Sequence, residues 1–68
     1  MTEHERKIAV LLASIAQGNL TVNQLRRIVT DGKARVKRLG AGNVEQKTLN
    51  AIAAAEEALE RIARARQV

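Results

Sequence analysis

Thr21 to Leu39 reads TVNQLRRIVTDGKARVKRL, and the fold turns on whether this stretch is one helix or two. Val22, Leu25, Val29, Gly32, Val36 and Leu39 recur alternately three and four residues apart, with Ile28 alongside, as the apolar seam of a single helix does. Asp31-Gly32 is a turn dipeptide and favours the opposite reading, a break at Thr30-Asp31-Gly32. Residues 22–29 and 33–39 would then form a helix-turn-helix, with a reading helix barely two turns long and Arg26 where that motif usually carries a small residue. The apolar phase runs through Gly32 without a slip. It favours one helix in which Gly32 is a point of close contact, at about 1 kcal/mol of helix propensity relative to alanine.

The edges of the stretch carry helix signals of their own. Thr21 with Gln24 three residues on is a capping-box pair, and Leu20 with Leu25 brackets it as a hydrophobic staple. Gly18 in Gln17-Gly18-Asn19 and the run Gly40-Ala41-Gly42 punctuate the chain on either side. Working outward, Thr2 with Glu5 starts a first helix and Asn43 with Gln46 starts a third. The expected helices are 3–17, 22–39 and 44–66, joined by short loops.

On the first, Ile8, Leu11, Leu12, Ile15, Ala9 and Ala16 share a face, with Val10 left outside it. On the third, Leu49, Ile52, Ala55, Leu59 and Ile62 line up with Ala51, Ala58 and Ala63, and the small residues Ala51, Ala55 and Ala58 permit a close neighbour. Its opposite face pairs Glu57 with Arg61 and Glu60 with Arg64, acid before base four apart.

The fold class is therefore all-α: residues 1–68 as a single three-helix domain, a helical hairpin with a shorter first helix packed across it. The core draws on eighteen Val, Leu and Ile and twelve alanines, with no aromatic residue and no cysteine. At 68 residues, without disulfides or metal, such a core is marginal, and a homodimeric bundle is expected to complete it.

Charge is distributed unevenly. Arg26, Arg27, Lys33, Arg35, Lys37 and Arg38 stand against Asp31 alone and account for the whole net charge of +5, while both flanking segments are neutral. On a continuous helix Arg26, Lys33 and Lys37 form one row, with Arg27 and Arg38 in a second about 100° round. A surplus of this kind points to an anionic partner. These six residues are the expected binding site, either for the phosphates of duplex nucleic acid or for an acidic patch on a larger protein to which the chain docks as an adaptor or inhibitor. A solvated face is the plainer alternative. Single strands are disfavoured, because their binders stack bases on aromatic rings.

No catalytic, cofactor or metal role is expected. His4 is the only histidine and has no second soft ligand, Ser14 has no neighbouring base, and Glu56, Glu57 and Glu60 have basic neighbours or solvent. Gly40-Ala41-Gly42-Asn43 lacks the lysine and preceding strand of a phosphate loop and reads as a connecting turn. The opening Glu3-His4-Glu5-Arg6-Lys7 leads into too short an apolar run for a signal peptide or a membrane span, so a cytoplasmic protein away from the membrane is the expectation.

Overall fold

The computed structural model describes residues 2–67. It contains α1 (Glu3–Ala16), α2 (Val22–Leu39) and α3 (Gln46–Arg66), with a single 3-10 turn at Ala41–Asn43. Helix α2 is unbroken, so the helix-turn-helix alternative falls. The reason lies at Gly32. A Cβ built on it would stand 2.6 Å from Ile52 Cγ1 and 2.7 Å from Cδ1, so the missing side chain is the space that Ile52 of α3 occupies. Burying that isoleucine against the backbone outweighs the turn preference of Asp31-Gly32.

Two of the three helix starts form as their sequences imply. Thr21 Oγ1 accepts from the Gln24 amide at 3.1 Å and Gln24 Oε1 accepts from the Thr21 amide at 2.9 Å, a complete capping box. Thr2 accepts from the Glu5 amide at 3.1 Å, one half of such a box. The third start departs from expectation. The residue at the N-cap of α3 is Glu45, without a side-chain cap bond, and the helix begins at Gln46 rather than 44 because Val44 and Glu45 are extended. Asn43 serves the other helix: its Nδ2 donates to the Leu39 carbonyl at 2.8 Å, satisfying an orphan acceptor at the end of α2.

Both breaks rest on glycines with positive φ. Gly18, at φ 80°, closes α1 with the Asn19 amide on Ser14 O at 2.9 Å and the Gly18 amide on Ile15 O at 3.1 Å. This is a Schellman closure, and it ends the helix at Ala16, one residue before the expected boundary. Gly40, at φ 85° and ψ 140°, occupies backbone space that side chains disfavour and turns the chain out of α2.

Ile8 of α1, Leu25 of α2 and Ala54, Ala55 and Ala58 of α3 form the buried cluster, with Leu11, Leu12, Ile15, Leu20, Val29, Leu59 and Ile62 packed around it. Leu20 and Leu25, the expected staple, both belong to this assembly. Helix α3 is the shared element: α1 and α2 each pack on it and share no comparable contact with one another. The first helix therefore leans mainly on α3 and meets α2 only through the shared cluster of Ile8 and Leu25. Its expected face holds for Ile8, Leu11, Leu12 and Ile15, but Ala9 and Ala16 are exposed. On α3, Ala51 and Ala63 are exposed while Ala54, outside the expected stripe, is buried. A helix gripped from two sides buries a wider arc than one apolar stripe describes.

Candidate nucleic-acid interface

The six cations of α2 are all exposed, and the structure separates them into three positions. Helical geometry keeps Arg26, Lys33 and Lys37 in one row along the seam with α3, where Arg26 borders a shallow cleft with Leu59 and Glu60, and Lys33 and Lys37 border another with Ile52 and Glu56. Arg27 and Arg38 form the second row. Arg35 falls roughly 60° beyond Arg38, next to Ile28, and belongs to the opposite edge of the helix.

Electrostatically the face is nearly unanswered. Lys33 Nζ lies 3.2 Å from Glu56 Oε2 of α3, with both side chains largely in solvent. Among the described residues, Arg26, Arg27, Arg35, Lys37 and Arg38 make no ion pair. Most acids of α1 and α3 are spent elsewhere. Arg61 donates from Nη2 to both carboxylate oxygens of Glu5, at 3.0 and 3.1 Å, and from Nε to Glu57 at 3.2 Å, tying α1 to α3. Arg64 reaches Glu57 at 3.5 Å and Glu60 at 3.7 Å, and Lys7 stands 3.9 Å from Glu3. The hydrogen bond from Arg61 holds the Glu57 carboxyl below its ordinary value, and the same carboxylates, Glu5 first, raise Arg61 further.

The Glu57–Arg61 and Glu60–Arg64 pairs were legible from their spacing. The bond to Glu5 was not, because it joins residues 56 apart in sequence and requires knowing that α1 lies on that side of α3. Thr30 and Asn23 are exposed between the cationic rows and offer hydrogen-bonding groups to an anion held there. His4 is exposed on the first turn of α1, and Glu56 is engaged with Lys33. No helix is long and apolar enough to cross a membrane. No family model, curated protein or solved structure matches the chain.

Proposed function

We propose that the chain is a small basic regulatory protein that binds the phosphates of duplex nucleic acid through α2 and acts as a homodimer. The observation that carries this reading is the set of five exposed cations on one helix without an acid partner among the described residues. Unpaired cations that neutralise phosphates release the counterions condensed there, so their affinity is strongly dependent on salt. Lys33 takes part by exchanging Glu56 for a phosphate, and contributes less than Lys37. An acidic protein surface would be met by the same groups, with the chain as an adaptor or inhibitor.

Anisotropy titrations of labelled random-sequence duplex DNA over a range of salt test the reading. Log affinity should fall linearly with log salt, Lys37→Gln should reduce the slope by about one phosphate, and Lys33→Gln by less. Absence of binding at low salt would overturn it. Capture of a single acidic protein from nuclease-treated lysate would then move the assignment to the adaptor reading.

A further inference from the structure

Because α1 and α2 both lean on α3 without closing on each other, a groove of about 550 Å³ remains between them. Its floor is Ala51, Ala54 and Ala55, and its walls are Val10 and Leu11 on one side and Ile28 on the other. Val10 is 59% exposed and Ile28 44%, and these are two of the three large apolar side chains that the described fold leaves most open. The third, Leu39, does not line the groove.

The molecule as a whole exposes more surface than its size requires, and this face holds two of its three most open large apolar side chains. Its accessible surface is 5102 Å², against about 4,200 Å² expected of a compact monomer of its mass. Its radius of gyration is 12.5 Å, where about 11 Å is usual for its length. The surplus, about 900 Å² per chain, is close to the roughly 800 Å² that each partner contributes to a standard interface.

We infer that the groove between α1 and α2 is the dimer interface, filled by the same face of a second copy. Each copy supplies both the hollow and the ridges that enter it: alanines at the floor allow close approach, and Val10 and Ile28 project at its walls. The rim holds Glu3, Arg6 and Lys7, both signs within a short span, so a two-fold axis can set Glu3 against Arg6 of the partner subunit. The row Arg26, Lys33 and Lys37 lies on the other edge of α2 and stays uncovered. The inference rests on the dimeric part of the proposed function and bears on its nucleic-acid part only where Arg35 lies beside Ile28.

Sedimentation equilibrium from roughly 1 µM to 1 mM decides it, since that span covers weak to moderate dissociation constants. The chain should reach twice its 7.4 kDa, and Val10→Lys or Ile28→Ser should weaken association at least tenfold while the helical circular dichroism is retained. Val10→Cys introduces the only thiol into a chain without cysteine, and a short bis-maleimide should link two copies through it. A chain that stays at 7.4 kDa throughout overturns the inference and leaves the groove to an unlike partner. Dimers indifferent to both substitutions overturn it too, placing the contact elsewhere. Duplex binding by a monomeric wild-type chain would end the dimer and leave the phosphate reading intact.

Discussion

Gly32 has no side chain to keep Ile52 at a distance, and α2 and α3 meet at that point on bare backbone. Two effects of opposite sign compete if it is replaced. Gly32→Ala gains about 1 kcal/mol of helix propensity, but the added methyl must displace an isoleucine whose branched stem has little freedom to turn, which overpacks by about 1–3 kcal/mol. The second effect is larger. Urea denaturation should show Gly32→Ala destabilised, and the double variant with Ile52→Ala should lose at least about 1 kcal/mol less than the sum of the single losses. A fully stabilised Gly32→Ala would mean the contact is not close. At the same scale, Glu57 responds to acid. Its carboxyl is held below the ordinary 4.5 by Arg61, so the unfolded chain takes up a proton at higher pH than the folded one. Stability from this group is complete above pH 4.5 and is lost as pH falls through the lowered value. Glu57→Gln should therefore melt below wild type at neutral pH, with the gap closing in acid.

The helices differ in how firmly their ends are tied. Thr21 gives and receives in a complete box at the start of α2, while Thr2 caps α1 with a single bond. Thr21→Ala should cost about 1–2 kcal/mol, and Thr2→Ala no more than about 1 kcal/mol, as chemical denaturation would measure. All three helices could be read from the spacing of apolar residues and the two glycine breaks, because local chemistry dictates them. The error at Asn43 shows where such reading stops. An asparagine three residues before Gln46 looks like a cap for the helix ahead, yet Gly40 turns the chain so that this side chain folds back on Leu39. Ala54 was overlooked for a related reason: a pattern of neighbours cannot say that α3 is clasped by two helices at once. In the candidate interface the cations and their rows were visible in the sequence. The pairing of Lys33 with Glu56 emerged only with the docking of α2 on α3.

At the scale of the molecule, charge and packing are segregated. The acids of α1 and α3 are engaged mainly with Arg61, Arg64 and Lys7, and only Glu56 reaches across to α2. Helix α2 thus keeps its mutual repulsion. Lys33 and Lys37, one turn apart, oppose helix formation until salt or a polyanion shields them. The melting temperature should rise with added salt, and replacing both lysines by Gln should flatten that rise, as calorimetry would show. An unchanged salt response in the double variant would mean the repulsion lies elsewhere.

Because α3 is the common axle, the two remaining helices are removable in different ways. Helix α2 is its neighbour along the chain and closes on it over a short loop, whereas α1 must return across the whole of α2 to find its place, a costlier closure. Amides of α1 should accordingly exchange with deuterium through a partial opening that leaves the α2–α3 pair assembled. Such an opening would also split one wall from the groove, so any copy bound there would act as a latch on the first helix.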